Sequence, residues 1–151
     1  MKRFALPLAL ILLEFPIYGA NAASREIVFQ SGDQRALEMV TTILAEEIAK
    51  PSTPPGILTA WVKLSGAEEP YLFVKLQDGY HCGNVNCEAW GFQKTKTGWR
   101  KVFSGSGYQW NVLASSQEGH NNLSKVMHGG AFEQEAKIYH WAGGRYRQVS
   151  N

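Results

Sequence analysis

Four histidines, His81, His120, His128 and His140, are the side chains of this 151-residue chain whose ordinary pKa lies near neutrality, and a hydrolase or a metal site would recruit some of them. Their spacing matches no ligand motif. There is no His-Glu-x-x-His, no Gly-x-Ser-x-Gly and no phosphate-binding glycine loop, and Ser104-Gly105-Ser106-Gly107 lacks the strand-to-helix context of a nucleophile elbow. The carboxylates Glu68, Glu69, Asp78, Glu88, Glu118, Glu133 and Glu135 fall in expected turns or at strand ends, where solvated charge is the ordinary state. A glycosidase would need two of them at a set separation across a cleft. No catalytic residue, metal ligand or cofactor is therefore assigned, and His128 and His140 read as a turn residue and a strand-face residue.

The two cysteines, Cys82 and Cys87, have chemistry of a different kind. With four residues between them and no second pair they suit neither zinc nor a thioredoxin-type redox motif, whereas in an oxidising compartment they should be bonded. Closing so short a loop gives only about 2 to 3 kcal/mol in the chain-entropy picture, so the bridge serves to hold a surface loop in one shape. The loop segment Tyr80-His81-Cys82-Gly83-Asn84-Val85-Asn86-Cys87 is the leading binding candidate: a tethered turn with an adjacent histidine and polar tips. Its alternative is an ordinary braced hairpin. Aromatic residues are the other signal. Most of the five tryptophans should pack in the core, but a sheet with one uncovered face could present Trp90 and Trp99, edged by Arg100, Lys101, Arg145 and Arg147, to a protein or glycan.

The elements that would position these residues begin after a targeting segment. Lys2 and Arg3, the apolar run Phe4 to Leu13 and the small residues Ala20-Asn21-Ala22 form a three-part secretory signal over residues 1–22. The apolar run is too short to span a bilayer, so no stable membrane span is expected after cleavage. Cleavage leaves residues 23–151 as one domain of 129 residues, periplasmic or secreted, and the net charge falls from +2 to +1. So small a charge gives no case for nucleic acid.

Within that domain Ala36, Leu37, Val40, Ile43, Leu44 and Ile48 recur at helical steps, which predicts an amphipathic helix over Asp33 to Lys50, capped by Ser31 or Asp33 and stopped by Pro51. Eight strand-like runs follow: Ile57 to Leu64, Tyr71 to Leu76, Glu88 to Lys94, Trp99 to Phe103, Tyr108 to Ala114, Leu123 to Met127, Glu135 to Trp141 and Arg145 to Val149. Short connectors such as Asp78-Gly79 and Gly143-Gly144 favour antiparallel pairing. Residues 88–102 and 135–149 align without gaps at an offset of 47, matching Glu88-Ala89 to Glu135-Ala136, Phe92 to Tyr139, Trp99 to Tyr146, Arg100 to Arg147 and Val102 to Val149. A duplicated three-stranded meander would explain this, as would chance. The expected fold is α+β: one antiparallel sheet of six to eight strands, in two meander-like repeats, under one N-terminal helix, with a small barrel or sandwich as the alternative.

The signal segment, the helix from Asp33 to Lys50, the strand Tyr71 to Leu76 and the Cys82 to Cys87 loop together resemble the periplasmic lysozyme inhibitors of the inhibitor of vertebrate lysozyme family. That resemblance implies an exported protein with a helix on an antiparallel sheet, whose disulfide-closed loop enters the lysozyme cleft. The family loop carries Lys, Pro, His and Asp between its cysteines. Here the residues are Gly83-Asn84-Val85-Asn86, so the inhibitory contact does not transfer residue by residue. The chain is also similar to uncharacterised exported β proteins with a Cys-Gly start, a second Cys and a Gly-aromatic-Arg strand. The function expected is non-enzymatic: an envelope protein binding a protein or glycan, one form being inhibition of an exogenous hydrolase such as lysozyme. The alternatives are a small secreted hydrolase or metalloprotein using histidines, and a structural envelope protein.

Overall fold

The run Tyr71-Leu72-Phe73-Val74-Lys75-Leu76 scarcely alternates in polarity, as befits a strand covered on both faces. In the computed structural model, which describes residues 24–83, 85–129 and 133–149, that strand lies between two layers. The signal segment expected at residues 1–22 and the loop residue Asn84 lie outside the described residues. Tyr71 and Phe73 point into a core shared with a second sheet, and Leu72, Val74 and Leu76 point the other way, beneath the helices.

In chain order the elements are β1 (Arg25–Glu26), β2 (Gln30–Ser31), α1 (Gln34–Ile43), α2 (Ala45–Ala49), β3 (Gly56–Val62), β4 (Tyr71–Gln77), β5 (Cys82–Gly83), β6 (Asn86–Thr95), β7 (Gly98–Gly107), β8 (Gln109–Gln117), β9 (His120–Gly129), β10 (Glu133–Ala142) and β11 (Arg145–Gln148). One sheet has five strands in the order β1-β8-β9-β10-β11. The other has six, in the order β2-β3-β4-β6-β5, with β7 also paired to β6. All the pairings are antiparallel.

This corrects the α+β expectation. Over the described residues the protein is mostly β, 58% strand and 13% helical, with two sheets instead of one and two short helices in place of a single helix over Asp33–Lys50. The physical reason is that alternation fixes which residues of a strand share a face but not which sheet the strand joins. The helical stretch breaks at Leu44, whose backbone leaves the helical region at φ −119° and ψ 24°. Asp33 caps the first helix by accepting from the Ala36 N–H at 2.7 Å and takes the Trp61 indole N–H at 3.2 Å. Those hydrogen bonds, the Ala36 one first, hold its carboxyl below the usual range.

The chain changes sheets between β7 and β8 at a single residue, Tyr108. Gly107 makes the corner possible, because a Cβ there would sit 3.0 Å from the Trp110 ring. Between the sheets the rings converge on Phe103, with centroids at 4.7 Å to Trp110, 5.2 Å to Tyr139 and 6.0 Å to Phe73. A register shift assists: Gly91 faces Phe103 while Phe92 faces Lys101, so Val102 is the extra residue of a bulge and enters the core beside Phe103.

The two segments aligned at an offset of 47 form hairpins in different sheets. Their registers correspond pair for pair: Phe92 with Lys101 and Tyr139 with Gln148, Lys94 with Trp99 and Trp141 with Tyr146. Their burial does not correspond. Phe92 packs toward the helices, while Tyr139 packs between the sheets. Matching residues therefore serve different cores, because the six-stranded sheet has an apolar layer on each face.

Candidate functional site

β4 hands over to β5 through Asp78-Gly79-Tyr80-His81, and Asp78 organises this turn. Its Oδ1 accepts the backbone N–H groups of Tyr80 at 2.6 Å and His81 at 2.9 Å, an Asx turn, and its carbonyl accepts the Cys82 N–H at 3.0 Å. Its second oxygen lies 2.6 Å from His81 Nδ1. Burial alone would raise the Asp78 carboxyl, but hydrogen bonds from the His81 ring and from both backbone N–H groups outweigh it and hold the group below its ordinary value. A carboxylate at that distance makes Nδ1 the donor.

The Cys82–Cys87 disulfide closes the turn, with Cys82 opposite Cys87 and Gly83 opposite Asn86 in register. The Glu88 N–H donates to the His81 carbonyl at 2.9 Å. Asn86 ties the turn to the other sheet: its side-chain amide donates to the His128 carbonyl and its oxygen accepts the His128 N–H, both at 2.9 Å. The His128 ring meets that of Tyr108 at 5.7 Å. Asn86, His128 and Tyr108 thus adjoin one another, Val85 precedes Asn86 in the chain, and Tyr80 projects from the same turn. Tyr80, Val85 and Tyr108 are 61%, 42% and 46% exposed, high values for large apolar side chains.

His81, by contrast, points inward. Its side chain has no exposed surface and packs edge-on to Tyr80 at 4.9 Å and Trp90 at 6.1 Å. Its Nε2 is buried without a hydrogen-bond partner and looks toward Glu47 of α2, whose Oε2 is 4.0 Å away. Glu47, His81 and Glu88 bring ligand atoms within 4.8 Å of one another, the one such grouping of three or more among the described residues. Lys50 closes the edge with its ammonium 2.5 Å from Glu47 Oε2, and the hydrogen bond to Glu47 raises its pKa. Glu47, Lys50 and Glu88 border a cleft of about 320 Å³ lined also by Trp90, Ser104 and Ser106, with His81 buried behind it.

The remaining histidines stand apart from this cluster. His120 stacks flat on Trp141 with centroids 4.0 Å apart, and His140 lies opposite Arg147 on β10. The aromatic face expected around Trp90, Trp99, Arg100 and Arg147 is not assembled. Trp90 is buried beneath the helices and Trp99 leans on Trp61 at 5.9 Å. Arg100 is exposed and donates to Gln93 at 2.7 Å, and Arg147 is exposed in the other sheet. Burial of Trp90 follows from alternation along β6, since Ala89 and Gly91 take the inter-sheet side. In the sequence Glu47 is one polar position within the stretch Asp33 to Lys50. Nothing in its spacing from His81 and Glu88 links the three, which come from separate elements. Compared with known protein families, with curated proteins and with solved structures, the chain gives no match.

Proposed function

We propose that the protein is an exported, non-enzymatic binding protein that engages a macromolecular partner, in the periplasm or outside the cell, through the end of the molecule carrying the disulfide turn. The observation that supports this reading is the pairing of exposure with rigidity. Tyr80, Val85 and Tyr108 present apolar surface to water, and the backbone beneath them is fixed by the disulfide, the Asp78 turn and the double hydrogen bond of Asn86 to His128. Aromatic anchors on a pre-ordered backbone bind at low entropic cost. The disulfide is compatible with an oxidising compartment. The aromatic contribution comes from Tyr80 and Tyr108, not from Trp90. Inhibition of an exogenous hydrolase such as a lysozyme is one concrete form.

The double variant Cys82→Ser/Cys87→Ser tests the role of the brace. It should lose about 2 kcal/mol of stability, the chain-entropy value for so short a loop, and remain folded by circular dichroism. Its affinity for the partner should fall, because the turn must then be ordered on binding. Equal affinity with and without the bridge would refute the role of the brace. Assays against several lysozyme types read the inhibitor form directly, and no inhibition of any of them would remove it.

A further inference from the structure

We propose that Glu47, His81 and Glu88 form a binding site for a divalent transition-metal cation of the zinc type. The cluster of acids would not suggest this by itself. The decisive observation is His81, whose side chain is wholly buried and whose Nε2 has no hydrogen-bond partner although it faces two carboxylates. A buried ring nitrogen left without a partner costs free energy comparable to a lost hydrogen bond. Asp78 accepts from Nδ1, so Nε2 of the neutral ring carries a lone pair, and that lone pair points at the position the two glutamates surround. A carboxylate behind a histidine is the outer-sphere arrangement that fixes the tautomer and orientation of a metal-binding imidazole.

Charge argues the same way. Asp78, Glu47 and Glu88 set three carboxylates against the single ammonium of Lys50, leaving two negative charges that one divalent cation balances. The donor set of one imidazole and two carboxylates suits zinc better than calcium or magnesium, which favour all-oxygen shells. Bonds of about 2.0 to 2.2 Å put tetrahedral ligands about 3.4 Å apart. His81 Nε2 and Glu47 Oε2 are already at 4.0 Å, so the closure required is a small rotation of the two glutamate side chains about a fixed histidine. Oε2 of Glu47, the oxygen nearest Nε2, is also the one Lys50 holds, so the ion would share that oxygen with the ammonium or take Oε1 once the carboxylate turns. The fourth position would open on the cleft beside Ser104 and Ser106, where water can complete the shell.

The test is equilibrium dialysis and calorimetry of zinc chloride against the chelator-stripped, disulfide-intact full chain, with magnesium and calcium chlorides as controls. One zinc ion should bind per chain in preference to both controls and raise Tm. Asp78→Asn should weaken zinc binding about 10- to 100-fold by removing the outer carboxylate. Glu88→Gln and Glu47→Gln, which leave the buried histidine in place and allow the fold to be checked independently, should each weaken it at least as much. No saturable zinc binding by the wild-type chain, or zinc affinity unchanged in the folded Glu47→Gln/Glu88→Gln double variant, would overturn the assignment.

Discussion

Phe103→Ala is expected to lower the unfolding free energy by about 3 to 5 kcal/mol, the range for truncating a buried aromatic. Phe103 is 3% exposed and stands where both sheets meet, edge-on to Trp110 and Tyr139 and tilted against Phe73. Its removal opens a cavity the neighbours cannot close, because Trp110 is wedged against Gly107 and the strands on each side are fixed by their ladders. Against a total stability of about 5 to 15 kcal/mol this is a large fraction. Urea unfolding should show a lower midpoint at unchanged slope. A loss below about 1 kcal/mol would mean that the two sheets do not share this core.

The second large effect is expected at Asp78. Asp78→Ala removes the acceptor of two backbone N–H groups and of the His81 ring, leaving a fully buried imidazole without a partner on either nitrogen. Hydrogen bonds to a charged group and the stranding of a buried donor together set the cost at about 3 kcal/mol. The turn should loosen even with the disulfide closed, seen as faster amide exchange at Tyr80, His81 and Cys82. The effect depends on pH with a definite sign. The Asp78 carboxyl titrates below its ordinary value of 3.8 in the folded protein, so its stabilisation is complete above that value and is lost as pH falls through the lower folded one. The stability gap between wild type and Asp78→Asn should therefore narrow on acidification below 3.8, and a gap that widened there would contradict the Asp78–His81 pairing.

Each of the eight apolar runs that the sequence presents overlaps a strand, since alternation and turn residues are local signals. The pairing of those strands into two sheets is not local. β7 runs into β8 through Tyr108 alone, and the corner depends on Gly107 meeting Trp110, a contact that spacing does not announce. The short strands β1, β2 and β5 are only two residues long, too short to leave a period. The site divides along the same line. Tyr80, Val85 and Asn86 were legible as a braced turn because the cysteines bracket it. The burial of Trp90 is not legible, because nothing local tells which side of β6 the helices cover. His81 sits in a segment whose cysteines mark it as a surface loop, yet it is buried, and its neighbour Glu47 comes from a helix 34 positions earlier in the chain.

The central claim is that a partner binds at the disulfide turn, and the most direct measurement is capture from envelope extract on four immobilised, oxidised proteins followed by mass spectrometry. The four are the wild type, Tyr80→Asp, Val85→Asp and Ile138→Asp, the last altering an exposed apolar residue on β10. Charge placed on the turn surface should abolish capture of a protein that the wild type and Ile138→Asp both retain. Retention of the same proteins by all four, or none by the wild type, would contradict it.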